Sequence, residues 1–177
     1  MKLALIQLTV ENDINENFTK VKKLLNEATT NKPDFILLPE CFLFLSNNKD
    51  EIIKNALPLD NIYMHYFKQF AKENRVLLLL GSLATRNNDK IYNCSFLVND
   101  EGVVISSYNK IHMFDVKVGD GHQYLESKTY EPGSKAVIAE TPWGLMGAHG
   151  DSANGNPWEP PWGSHPRDPM GNTKDPM

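Results

Sequence analysis

Glu40 is the first residue of the sequence whose type and place could do chemistry. It ends the apolar run of residues 35–39, and a carboxylate at the C-terminal edge of a buried strand lies where α/β proteins bind ligands. Partial burial there would suit it to work as a general base. The commoner alternative is an ordinary surface glutamate after a strand-ending proline, because buried unpaired acids are rare. Position alone leaves both roles open.

Lys110 and Glu126 are the other two charged candidates. Lys110 follows a strand-like run and could stabilise an oxyanion, although a lone lysine is more often simply solvated. Glu126 lies in the polar stretch 110–135, where by itself it indicates little. His112 could serve as a base or a metal ligand, but no other His, Cys or acid stands at ligand spacing. A histidine that bonds its own loop is therefore the more common case.

The two cysteines, Cys41 and Cys94, are weak candidates for a nucleophile. Cys41 is next to Glu40, and neighbours along a strand point to opposite faces, so the two side chains are not expected to converge. Cys94 stands in the middle of a strand-like run, where a buried cysteine is usually an inert small hydrophobe. Two cysteines also suggest no disulfide framework, which favours a reducing, cytoplasmic setting.

The elements that must position these residues follow a strand–helix rhythm. Short apolar runs predict buried strands, and apolar residues at helical spacing predict helices over 15–29 and 60–74. This alternation is typical of an α/β sheet covered by helices. We expect residues 110–135 to form a long loop. The strands expected to share one sheet are 3–8, 35–38, 76–80, 90–98, 103–108 and 136–141.

Length and charge limit the class of protein. A chain of 177 residues fits one domain, and a net charge of -4, from 22 acids and 18 bases, disfavours a nucleic-acid partner. No segment has the roughly 20 apolar residues that cross a bilayer, so no membrane partner is expected. Residues 148–177 hold six of the eleven prolines and no Val, Ile, Leu or Phe. We therefore expect a disordered or irregular C-terminal tail.

Taken together, the motifs resemble those of the nitrilase superfamily of carbon–nitrogen hydrolases, over residues 1–147. Any one motif is weak, but their order and spacing are specific. The closest likeness is to the Nit-type amidases, the ω-amidases and deaminated-glutathione amidases, through the runs 114–116 and 126–129. The motifs that carry the resemblance are LALIQ at 3–7, LLPE at 37–40, YNKIH at 108–112, LES at 125–127 and PG at 132–133.

The resemblance implies an α-β-β-α sandwich, in which two sheets face each other and helices cover their outer sides. Residues 1–147 would then form a partial carbon–nitrogen hydrolase domain of α/β class, an incomplete nitrilase-type sandwich, followed by the irregular tail 148–177. The family hydrolyses small amides and needs no metal or organic cofactor. Because two family subunits commonly pack through their helical faces, a homo-oligomer is also expected.

The resemblance further implies a mechanism for the three charged residues. In the family, a cysteine thiolate attacks the amide carbonyl and forms a thioester, which water then cleaves. The residue matching Glu40 takes the thiol proton and passes it to departing ammonia. The residue matching Lys110 stabilises the tetrahedral oxyanion, and the residue matching Glu126 holds the lysine and the base in place.

The sequence departs from the family where the nucleophile is expected. By family spacing the cysteine falls near Asp151, and an aspartate is a poor substitute because its acyl product would be an anhydride. We therefore expect a truncated, inactive form of an amidase of the Glu-Lys-Cys type. Three explanations remain open, in this order: a truncated or frameshifted coding sequence, a non-catalytic relative that binds a ligand or partner, and an enzyme that uses another nucleophile.

Overall fold

The computed structural model describes residues 1–117 and 123–148. The predicted irregular tail lies outside the described residues, apart from Ala148. The helices are α1 (Ile14–Thr29), α2 (Lys49–Asn55) and α3 (Ile62–Asn74). The strands are β1 (Leu3–Leu5), β2 (Phe35–Leu38), β3 (Leu57–Pro58), β4 (Leu77–Asn87), β5 (Lys90–Val98), β6 (Val104–Asn109), β7 (Asp115–Lys117), β8 (Gln123–Leu125), β9 (Val137–Thr141) and β10 (Gly144–Ala148).

The main sheet has six strands in the order β1-β2-β4-β5-β6, with β3 paired to the far end of β4. The strands β1, β2 and β4 run parallel because helical connections carry the chain back between them. Tight turns join β4 to β5 and β5 to β6, so these pairs are antiparallel. Five of the six predicted strands therefore lie in one sheet, as expected.

The strand β4 is longer than the sequence predicts. The apolar run 76–80 indicates a strand that ends at Gly81, but β4 continues to Asn87. Its register against β5 shifts between Leu80 and Leu83. Such a β-bulge bends a strand without ending it, and a glycine inside the bulge leaves room for a close neighbour.

Two amphipathic helices cover one face of the main sheet. α1 begins after Asp13, whose side chain accepts hydrogen bonds from the N–H groups of Asn15 and Glu16, as an N-cap does. Both predicted helices are confirmed to within two residues at each end. The short helix α2 is not predicted, because only Ile52 of its seven residues is buried and no period can show. The core between helices and sheet includes Val21, Leu25, Ile36, Phe42, Phe67 and Leu78.

The strand predicted over 136–141 does not join the main sheet, and that prediction is wrong. It forms β9, which among the described strands pairs with β10 alone, in a two-stranded antiparallel hairpin. The inner face of this hairpin packs on the side of the main sheet away from the helices, where Ala139 meets Phe35, Leu77 and Leu97. At β9 the chain therefore lies on the other face of the main sheet, and the local residue pattern does not indicate this change of face.

The stretch 110–135 is not one continuous loop. It contains the short antiparallel pair β7–β8 and a 3-10 turn over Glu126–Lys128. Each of these elements is three residues long, so neither hydrophobic period has space to appear. None of the helices in the described part of the chain is long and apolar enough to span a membrane.

Candidate active site

Glu40 stands at the C-terminal edge of the parallel strands because the chain turns immediately after β2. Gly81 in β4 lies against that turn. A Cβ atom at Gly81 would be 2.0 Å from the Leu38 carbonyl oxygen and 2.6 Å from that of Pro39, so only glycine permits the approach. The N–H of Ser82 donates to the Pro39 carbonyl at 3.2 Å. These contacts hold the turn against β4 and thereby fix the position of Glu40 at the edge of the sheet.

Lys110 is held by a similar arrangement at the end of β6. Its N–H donates to the Asn93 carbonyl at 2.9 Å, and its own carbonyl accepts from the N–H of Gly133 at 2.8 Å. A Cβ atom at Gly133 would be 2.2 Å from the Asn109 carbonyl oxygen. In both cases, therefore, the backbone just before the charged residue packs against a glycine, Gly81 for Glu40 and Gly133 for Lys110.

Glu126 reaches the same place from the β7–β8 pair. It is the first residue of the 3-10 turn that follows β8. Its Oε2 atom accepts a hydrogen bond from the N–H of Phe114 at 2.7 Å, and its carbonyl accepts from the N–H groups of Thr129 and Tyr130. These contacts fix both the backbone and the carboxylate, so the side chain has a defined direction.

The three charged side chains converge on one point. The Lys110 ammonium lies 3.0 Å from Glu40 Oε1 and 2.8 Å from Glu126 Oε2. The Lys110 and Glu126 side chains are 19% and 14% exposed, whereas that of Glu40 is 57% exposed. The expected convergence of these residues is confirmed, while their catalytic roles stay a prediction. Glu40 is the member most open to a ligand or to a reacting proton.

Asn93 is a member of the site that the sequence does not single out. It lies in β5, is 2% exposed, and donates from Nδ2 to Glu40 Oε1 at 2.7 Å and to Glu126 Oε1 at 3.1 Å. The one available signal is an asparagine in the middle of a strand, where this residue type is depleted.

Opposing effects act on the Lys110 ammonium. Burial lowers the pKa of Lys110, but hydrogen bonds from the ammonium to Glu126 and Glu40, with the charges of these carboxylates, raise it further. The pKa of Lys110 therefore lies above its ordinary value of 10.5. Because the folded value is the higher one, this contribution to stability is fully present below that ordinary value and is lost as pH rises through the folded pKa.

We expect Lys110→Met to lower the free energy of unfolding by about 2 kcal/mol, because two carboxylates lose a charged hydrogen-bond donor. The deficit relative to the wild type should be steady from neutral pH to about pH 10 and shrink above that. Urea unfolding at a series of pH values measures it. Lys23→Met, at an exposed position of α1, is the matched control and should lose little. A deficit that grows at alkaline pH would contradict the assignment.

Cys41 lies in the site, contrary to the expectation that it points away from Glu40. The strand β2 ends at Leu38, and Cys41 sits in the following turn with φ 52°, so the alternation of strand side chains does not apply. Its Sγ is 4.0 Å from Asn93 Nδ2. Burial, and then the charge of Glu40, raises the pKa of the Cys41 thiol to about 11. The thiol is near the charged cluster but is held protonated.

The other candidates lie away from the cluster. Cys94 is packed in the main core as expected, and burial raises the pKa of its thiol to about 12. His112 is exposed. Over residues 1–117 and 123–148, no three His, Cys, Asp or Glu side chains group together as a metal site would need. The expected nucleophile position near Asp151 lies outside the described residues.

A cavity of about 360 Å³ opens beside the charged cluster. It is large enough for a small organic molecule. Its wall combines the charged groups with apolar side chains and with hydroxyl and amide groups. The lining residues are Glu40, Cys41, Leu45, Ser46, Asn47, Ile52, Lys110, Phe114, Gln123, Tyr124, Leu125, Glu126, Thr129 and Tyr130.

Comparison with known proteins places the chain in a family. The sequence matches the carbon-nitrogen hydrolase family over residues 2–149. It is 34% identical to the deaminated glutathione amidase of Dictyostelium discoideum, covering 82% of this chain and 53% of the relative. It is 30% identical to the omega-amidase NIT2 of Homo sapiens, covering 82% and 52%. The chain thus spans about half the length of these two relatives.

Solved structures show the same fold. The Caenorhabditis elegans NitFhit protein matches with a TM-score of 0.70 and 29% identity, covering 80% of this chain and 35% of that one. Saccharomyces cerevisiae Nit3, of the nitrilase superfamily, matches with a TM-score of 0.71 and 25% identity, covering 83% and 54%. The mixed α/β architecture is therefore that of the nitrilase fold. The chain belongs to the carbon-nitrogen hydrolase family, within the nitrilase superfamily, and its relatives are Nit-type amidases.

Proposed function

We propose that the 177-residue chain binds small linear amides at the Glu40–Lys110–Glu126 cluster and does not hydrolyse them at enzymatic rates. The observation that carries the proposal is the placement of two carboxylates around one ammonium beside an open cavity. Relatives named deaminated glutathione amidase and omega-amidase support an amide as the ligand. The homo-oligomer and the cytoplasmic setting stay predictions.

The roles of the three residues follow from their exposure and contacts. Glu40 is the most exposed of them, so it is the carboxylate that can accept a proton from a bound group. The Lys110 ammonium has three donors and uses two on the carboxylates, which leaves one for an amide carbonyl oxygen. Glu126, held by the N–H of Phe114, orients Lys110. Together they bind and polarise an amide.

The missing step is nucleophilic attack. A thioester requires a thiolate, and the sequence has an aspartate at the expected position, residue 151. An attack by that carboxylate would give an anhydride, and Asp151 lies outside the described residues. A bound amide would be polarised but not cleaved.

A second candidate function is hydrolysis with Cys41 as a substitute nucleophile. It is favoured by one observation, that Cys41 lines the same cavity as Glu40 and Lys110. The raised pKa of its thiol opposes it, because a pKa of about 11 leaves roughly one thiolate in ten thousand at neutral pH. We therefore propose binding without turnover rather than hydrolysis through Cys41.

The charge of the cavity favours uncharged amides over anionic ones. Among the described lining residues, Lys110 is the one cationic side chain, and it is shared by two carboxylates. Two carboxylates and one ammonium leave one formal negative charge on the cluster, which disfavours a ligand that itself carries a carboxylate. Apolar side chains such as Leu45 and Phe114 suit a short alkyl chain.

Binding is tested by titrating the full chain with matched amides and following backbone amide signals by NMR. We expect saturable shifts at Phe114 and Glu126 with butyramide, and weaker binding of the monoamide of succinic acid. Lys110→Met should weaken butyramide binding at least tenfold, about 1.4 kcal/mol, while Lys23→Met should leave it unchanged. Equal binding by both lysine variants, or no saturable binding by the wild type, would contradict the proposal.

A further inference from the structure

We propose that Asn93 is a positioning residue, which holds the carboxylates of Glu40 and Glu126 in place around Lys110. Its Nδ2 atom donates to Glu40 Oε1 at 2.7 Å and to Glu126 Oε1 at 3.1 Å. The functional meaning of this contact rests on the proposed roles of the two carboxylates. The contact itself is independent of any ligand.

The charge balance of the cluster explains why a neutral residue is needed here. Two carboxylates share one ammonium, so one negative charge is not balanced. Like charges at close range favour protonation of one of the two groups. A hydrogen-bond donor to an ionised carboxylate opposes that protonation. An asparagine amide has two N–H groups and can offer one to each carboxylate without adding charge.

A second cation in place of Asn93 would also keep both carboxylates ionised, but with a different result. It would neutralise the cluster and make Glu40 a poorer proton acceptor, because a nearby positive charge opposes protonation of a carboxylate. The Asn93 amide contacts both carboxylates without adding charge to the cluster.

The position of Asn93 is itself tightly fixed. Its side chain is 2% exposed, and its backbone lies within the β4–β5 ladder opposite Ala84. Its carbonyl oxygen accepts the N–H of Lys110 at 2.9 Å. Asn93 thus contacts the Lys110 backbone through its main chain and the carboxylates of Glu40 and Glu126 through its side chain. All three charged residues are therefore positioned by one residue.

The test is the pH dependence of stability, measured on the full chain by urea unfolding between about pH 6 and pH 8. Asn93→Asp keeps the shape of the side chain but places a third carboxylate within reach of the other two. The folded variant must then bind an extra proton. Because the folded state then binds one more proton than the unfolded state, the unfolding equilibrium constant should increase about tenfold for each unit by which the pH rises, relative to the wild type. Asn93→Leu removes the amide with little change of volume, and its deficit should vary far less with pH.

A second substitution separates positioning from simple packing. In the double variant Asn93→Asp, Glu126→Gln, one amide again stands among two carboxylates and one ammonium. We expect its pH dependence to return to that of the wild type. The proposal is overturned if the stability of Asn93→Asp equals that of Asn93→Leu at every pH. It is also overturned if the double variant keeps the steep pH dependence, or if both variants that contain Asn93→Asp fail to fold at every pH. Folding of Asn93→Asp only at the acid end would support it.

This experiment contains no ligand, so its outcome is separate from amide binding. A chain that binds no amide but shows the predicted pH dependence would contradict the proposed function and leave the role of Asn93 in place. A chain that binds butyramide but shows no such dependence would contradict the role of Asn93 and leave the proposed function in place.

Discussion

The 177-residue chain should release no measurable ammonia from small amides above the uncatalysed rate. The resemblance implies a reaction through a thioester, and loss of a nucleophile lowers the rate by roughly a millionfold in the best-dissected catalytic triad. In the proposed function Glu40 and Lys110 only polarise a bound amide, and polarisation alone does not break the carbon–nitrogen bond. The measurement is ammonia release from a panel of neutral amides and dicarboxylic acid monoamides, including α-ketoglutaramate.

The two cysteines provide matched variants for this assay. Cys41→Ala removes the thiol in the cavity, and Cys94→Ala removes the thiol in the core. If the wild type turns over and Cys41→Ala alone stops it, Cys41 is the nucleophile and the proposed inactivity is wrong. If turnover survives in the double variant Cys41→Ala, Cys94→Ala, a carboxylate or a water molecule attacks the amide, which would also contradict the proposed inactivity.

Gly81→Ala should destabilise the fold strongly. The added Cβ would lie 2.0 Å from the Leu38 carbonyl oxygen and 2.6 Å from that of Pro39. Both obstacles are backbone atoms of β2 and its turn, so no side chain can swing away. We expect a loss of about 3 kcal/mol, the upper part of the range for overpacking, measured by urea unfolding.

Gly147→Ala is the control for that substitution. Gly147 lies in β10, and nothing stands within 4 Å of an added Cβ there. Its stability should stay within about 0.5 kcal/mol of the wild type. Equal stability of the Gly81 and Gly147 variants would mean that the turn carrying Glu40 is not pressed against β4. Gly133→Ala, with its Cβ 2.2 Å from the Asn109 carbonyl oxygen, should resemble Gly81→Ala.

Much of the fold can be predicted from the sequence because it follows from local patterns. The helices α1 and α3 show a clear apolar period, and the strand β2 and the first part of β4 are short apolar runs. The strand β9 looks the same as these in sequence, yet it lies on the opposite face of the main sheet. Sheet membership depends on the path of the chain between elements, which residue pattern does not contain.

The charged cluster is a different case, because its members are far apart in sequence. Glu40 and Lys110 are separated by 70 residues, and neither is distinctive alone. The resemblance to a known family predicts that they lie close together, because the motifs occur in the same order in both. Asn93 has no motif of its own in that resemblance, so only the structure reveals it. Cys41 could have been placed correctly, because Pro39 ends the strand before it and removes the basis for alternation.

Locating a bound amide tests the proposed function most directly. We expect small amides to bind in the cavity beside Lys110, between Glu40 and the apolar side chains that line it. Intermolecular NOEs from butyramide to the full chain measure this. We predict NOEs from the butyramide methyl group to the rings of Phe114 and Tyr124, which line that cavity. NOEs instead to Leu79 and Met146, which line a second cavity under the β9–β10 hairpin, would contradict it.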